Sequence, residues 1–176
     1  MIKIYGINSF KKLFKIRFND LKIALFLGIT AMISIISTYY LTNGIIDYSN
    51  VPKSLENSLG ISLDNFLFVG LYIAVFNSLL EEMIFRGVLY INLSKGISEK
   101  MTIILSSFLF SIYHISIVDG WFNFLSFLLV ITLLMLSGIV LNLLDRKTGS
   151  ILPSWILHIF SNIGINAIGY ILLNAK

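Results

Sequence analysis

Cysteine is absent from this 176-residue chain. No disulfide, thiolate nucleophile or thiolate metal ligand is therefore available to it. Charge is scarce as well: only 12% of the residues are Asp, Glu, Lys or Arg, where a soluble globular domain carries about a quarter. Histidine and proline occur twice each, and 57% of the chain is hydrophobic. With a mean hydropathy of +0.89, most of the molecule is solvated by lipid rather than water. The length suits one compact domain. There is no internal repeat, linker or low-complexity tract.

What is present is a series of long apolar runs. Crossing a bilayer takes about 20 apolar residues. Ile23–Ile46, Trp121–Leu144 and Ile151–Leu173 contain no charge at all. Met101–Val118 is shorter and holds His114, and Asn65–Leu93 holds two adjacent glutamates. The expected fold is all-α: a polytopic transmembrane bundle of about five helices. Ser150 is the expected N-cap of the last helix, with Pro153 tolerated in its first turn. The polar stretch Asp47–Gly60 reads as a plain connection. Trp121, Trp155, Tyr39 and Tyr40 stand near span ends, as an aromatic belt requires.

Eleven of the 13 Lys and Arg residues fall on one side of this arrangement, and only Lys53 and Lys176 on the other. The positive-inside rule then places the N-terminus in the cytoplasm and the C-terminus outside. The same asymmetry explains the net charge of +4 without a nucleic-acid partner. Residues 1–22 read as a basic amphipathic segment on anionic lipid, with Phe10, Leu13, Phe14 and Leu21 on one face. The apolar run that follows is too long for a secretory leader, so an uncleaved anchor is expected. Residues 23–176 form the membrane domain.

The chemistry-bearing residues are few. Both histidines, His114 and His158, lie within apolar helices, and NSLLEEMIFRG places Glu81, Glu82 and Arg86 in a third. A charge inside a span costs roughly 2.5–3.5 kcal/mol, which makes it a functional candidate. Glu82 and Arg86 are four apart and share a helical face, so they can neutralise each other. Glu81 is turned about 100° away and is free to point elsewhere. His158 shares a face with Asn162, and Phe110 with His114. Counted from the helix ends, Glu81, His114 and His158 can meet in one layer, and Asn77 and Ser78 lie one turn before Glu81. A buried carboxylate can serve as general base toward water, with a histidine sharing the proton. A second histidine and an amide can supply donors to an oxyanion. Together they point to amide hydrolysis without a covalent intermediate, although Ser106, Ser107 and Ser111 leave nucleophilic catalysis open.

EEMIFRG fits the pattern EExxxR, FSIYH fits FxxxH and HIFSN fits HxxxN. In that order, on successive helices, they resemble the CPBP family: the CAAX proteases and bacteriocin-processing enzymes, also called the Abi family. The likeness covers residues 65–165. It implies an intramembrane endopeptidase similar to the type II CAAX prenyl endopeptidases, with no cofactor. In it Glu81 with His114 would activate the water, His158 with Asn162 would bind the oxyanion, and Glu82 and Arg86 would support the site. The chain departs from the family in having about five helices rather than eight, and in Asn142, where a small residue is usual. The Asn142 amide is expected to bond across helices, and Ser137 and Gly138 to let helices approach.

Three other readings remain at this stage. Glu81, His114 and His158 would also make a zinc shell with an open position, although HExxH is absent. The chain could instead be a non-hydrolytic bacteriocin immunity protein. Intramembrane Glu and His also build proton relays, but no inverted repeat or broken half-helix supports a transporter. The expected partners are membrane lipid and a peptide or membrane-protein substrate, in a bacterial cell membrane judged by the Ile, Asn and Lys content.

Overall fold

A computed structural model describes residues 13–175. Phe10 and the remainder of the amphipathic segment before Leu13 lie outside the described residues. Among those described there is no strand, and five helices are long and apolar enough to cross a membrane.

Helix α1 is Phe18–Thr42 and α2 is Val51–Leu59. Helix α3, Phe66–Leu93, carries the two glutamates. Helix α4 is Glu99–Tyr113, and beyond His114 the chain continues into the short α5, Ile115–Val118. Helices α6, Phe124–Thr148, and α7, Leu152–Asn174, complete the bundle. The first span thus begins five residues before Ile23. The Arg17 guanidinium donates to the Asp20 carboxylate at 2.7 Å across that first turn.

Small residues decide which helices touch. A Cβ built on Gly28 of α1 would stand 2.7 Å from Phe160 Cδ2 of α7, and one on Gly164 of α7 would stand 3.2 Å from the Met32 carbonyl. Glycine therefore lets α1 and α7 pack backbone to backbone, as membrane helices do in the absence of a hydrophobic driving force between them. Gly138 of α6 meets Ser107 of α4 in the same way, at 3.0 Å. One turn further on, Asn142 Nδ2 donates to Ser107 Oγ at 3.0 Å. Asn142 thus makes the expected cross-helix bond. Ser137 is exposed and bonds back to Leu133 O within its own helix.

Asp47–Gly60 is more than a connection. Pro52 sits in the first turn of α2 and Gly60 ends it at φ +65°, a left-handed cap open to glycine without steric cost. Val51 and Leu55 bury themselves against Ile61, Phe66 and Leu173. The polar sequence hid an amphipathic helix of nine residues whose apolar face closes one end of the bundle. At the opposite end Ser150 donates to the Leu13 carbonyl at 2.8 Å and accepts from Leu152 N–H at 3.2 Å. Ile151 rather than Ser150 occupies the cap position of α7.

Candidate active site

Helix α3 is not a uniform α-helix. Tyr72–Asn77 and Met83–Tyr90 are wide π turns, and the α segment between them, Ser78–Glu82, carries the glutamates. π turns are rare and concentrate at functional sites. Here a row of donors on α7 grips the first of them. Trp155 Nε1 donates to Val75 O at 3.0 Å and to Ser78 Oγ at 3.1 Å. Asn162 Nδ2 donates to Ile73 O at 3.2 Å, and Asn166 Nδ2 to Gly70 O at 2.9 Å. A backbone carbonyl has two lone pairs, so each can accept such a side chain. Trp155 is therefore an interior clamp rather than part of an aromatic belt. On the other side Ser106 of α4 donates to Phe85 O at 3.1 Å.

Between these contacts the charged residues of α3 are shut away from solvent. Glu82 is fully buried, Arg86 is 2% exposed and Glu81 4%. Arg86 Nη1 donates to Glu82 Oε1 at 3.1 Å, as the four-residue spacing requires. The same oxygen lies 2.8 Å from His158 Nδ1. The carboxylate oxygen accepts from both, so Nδ1 of His158 carries a proton toward Glu82.

His114 sits where α4 breaks. Its Nδ1 is 2.8 Å from Phe110 O; a carbonyl can only accept, so this ring presents Nε2 as a free acceptor. The Phe110 ring lies under Arg86, with Cζ 4.4 Å from its centroid, and edge-on to His158 at 5.8 Å. The phenylalanine of FSIYH thus holds one histidine through its carbonyl and supports the cation through its face.

Glu81 joins the two rings. Its Oε1 accepts from Asn77 Nδ2 at 2.5 Å. Its Oε2 stands 3.7 Å from His114 Nε2 and 3.6 Å from His158 Nε2, buried and without a hydrogen-bond partner among the described residues. Glu81, His114 and His158 therefore meet from three helices in one layer, with Glu82 and Arg86 behind them. Asn162 lies one turn along α7, with one amide hydrogen spent on Ile73 O. Among the described residues no trio of His, Asp or Glu side chains is arranged as a metal site. Of the two residues preceding Glu81, Asn77 supports it directly, while Ser78 is taken by Trp155 and by Ala74 O.

One acid with an inward-facing carboxylate was not evident in the sequence. Asp145 of α6 stands beside Ser154, facing Glu82 and Arg86, and neither of its carboxylate oxygens accepts a well-formed hydrogen bond. In the sequence it precedes Arg146 and Lys147 at a span end, which resembles an ordinary interfacial charge. The only signal was the apolar run before it.

A model of the family described as type II CAAX prenyl endopeptidase Rce1-like matches residues 63–164. The chain belongs to that family. No curated protein and no solved structure gives a significant match. This is a protease family, and with five apolar spans the chain is an integral, multi-pass membrane protein of the CAAX-type intramembrane endopeptidase class. The matched residues contain all of α3, α4 and α6 and the first half of α7, so they include the three helices that converge on Glu81.

Proposed function

We propose that this protein hydrolyses a peptide bond within the membrane using water activated by Glu81 and His114. The observation that carries the reading is Glu81 Oε2, a buried acceptor without a hydrogen-bond partner among the described residues, placed between two imidazole nitrogens whose ring partners are already engaged. A water there donates one hydrogen to Glu81 Oε2 and the other to His114 Nε2, leaving a lone pair for a substrate carbonyl carbon. As the C–O bond forms, the proton passes to Glu81. It is then delivered to the leaving amine as the C–N bond breaks. His158, when protonated at Nε2, donates to the developing oxyanion, and the Glu82 carboxylate at its Nδ1 balances the imidazolium. The second amide hydrogen of Asn162 is the other donor in this scheme. Arg86 pairs with Glu82 in this arrangement. The reaction so written needs no metal.

The substrates in this reading are peptide precursors or membrane-protein segments reaching the site in a bacterial membrane, with the N-terminus of the enzyme cytoplasmic. The test compares new protein N-termini in membranes of cells carrying wild type, Glu81→Gln or no copy, with the variant shown to be expressed and helical. Peptides lost in both the variant and the null support the proposal and name the substrates. Identical profiles in all three, with the phenotype kept by Glu81→Gln, would replace it with a binding or immunity role. Stoichiometric zinc in the purified protein, required for cleavage, would replace the metal-free scheme with a zinc shell of Glu81, His114 and His158.

A further inference from the structure

We infer that Asn77 is a positioning residue that selects Oε2 of Glu81 as the reactive oxygen; the inference rests on the proposed role of Glu81 as base. The two oxygens of a carboxylate are equivalent, and rotation about the last side-chain bond exchanges them over a broad, roughly two-fold surface. A base that must address two fixed imidazoles needs that rotation stopped. Asn77 Nδ2 holds Oε1 at 2.5 Å. Oε2 is then left 3.7 and 3.6 Å from the two Nε2 atoms, with no competing protein donor.

The position of Asn77 is itself specified. It is the last residue of the wide turn Tyr72–Asn77, and α7 grips that turn at Ile73 O and Val75 O. Trp155 also reaches Ser78, the residue next to Asn77. Helix α7 therefore fixes both sides of the site: it carries His158 directly and orients Glu81 through the turn and Asn77. An amide suits this task because its N–H can only donate. Without it Oε1 becomes a second buried acceptor without a partner, and the carboxylate turns to satisfy it.

The test uses the full chain in membranes, with the substrate peptides that distinguish wild type from null, and then a synthetic peptide spanning one such cleavage site. Asn77→Ala and the isosteric Asn77→Asp both lack the donor. Each is expected to lower kcat by about 10²-fold, the scale of a misplacement near 1 Å, with KM unchanged. Asn77→Gln keeps an N–H within reach at the same i, i+4 spacing and is expected to regain most of the loss. Wild-type kcat in Asn77→Ala overturns the inference, and so does a loss that follows the unfolding temperature in all three variants. Should Asn77→Ala fail to fold, equal kcat in the Asp and Gln variants overturns it as well. Glu81→Gln is run alongside: if it cleaves normally, the role of Glu81 fails first and the inference falls with it.

Discussion

His158 Nδ1 and Arg86 Nη1 meet on one atom, Glu82 Oε1, at 2.8 and 3.1 Å. This three-way junction of buried side chains ties α3 to α7. Breaking a buried ionic pair by removing one partner costs about 3–5 kcal/mol, because the other charge is left uncompensated. Glu82→Ala is therefore expected to unfold at a clearly lower temperature, followed by circular dichroism in detergent. A wild-type unfolding temperature would mean that the junction does not hold the two helices together.

The two histidines are expected to separate stability from activity. The short bond of His114 is to a carbonyl of its own helix, whereas that of His158 crosses helices to Glu82. His114→Ala should lose about 10²–10⁴ in cleavage rate, the range for a general acid–base group, with little change in unfolding temperature. His158→Ala should lose both. Equal thermal losses in the two variants would contradict this division.

At the α4–α6 contact, polar and steric terms differ in size. Asn142→Leu removes one bond between membrane helices, a contribution of about 0.6 kcal/mol on average. Gly138→Leu drives a side chain into Ser107, and overpacking of this kind costs typically about 1–3 kcal/mol. The glycine variant should therefore be the more destabilised in parallel unfolding measurements. The opposite order would assign the contact to Asn142.

The absence of cysteine gives a clean background for testing the orientation. Lys53→Cys in α2 should react with an impermeant maleimide added to whole cells, and Lys147→Cys at the end of α6 only after the cells are opened. The reverse pattern would invert the topology derived from the charged residues.

Local relations were legible in the sequence because helix geometry is local. The pairing of Glu82 with Arg86, the reach of Asn77 to Glu81 and the shared face of Phe110 and His114 all follow from a spacing of four. Even the common depth of Glu81, His114 and His158 could be counted along antiparallel helices at 1.5 Å per residue. Contacts between helices were legible only in part, as at Asn142 and Gly138. Spacing put His158 and Asn162 on one face, but did not reveal the bonds of His158 to Glu82 and of Asn162 to Ile73 O. Trp155 looked like a belt residue and proved to be a clamp, and Asp145 looked like an interfacial charge and proved to turn its carboxylate inward.

The sequence by itself determined that the chain lives in a membrane, that it spans it with five helices, and which few polar side chains are available there. Those properties come from composition and from periods of 3.6 residues, which need no knowledge of neighbours. Only the tertiary structure decided which atom faces which. That choice depends on the two π turns of α3 and on the glycines that let α7 approach α1. It depends also on donors from α7 that fasten the first π turn, a set of contacts between residues up to 89 positions apart. Oε2 of Glu81 is left unpartnered between two imidazoles as the combined result of those contacts.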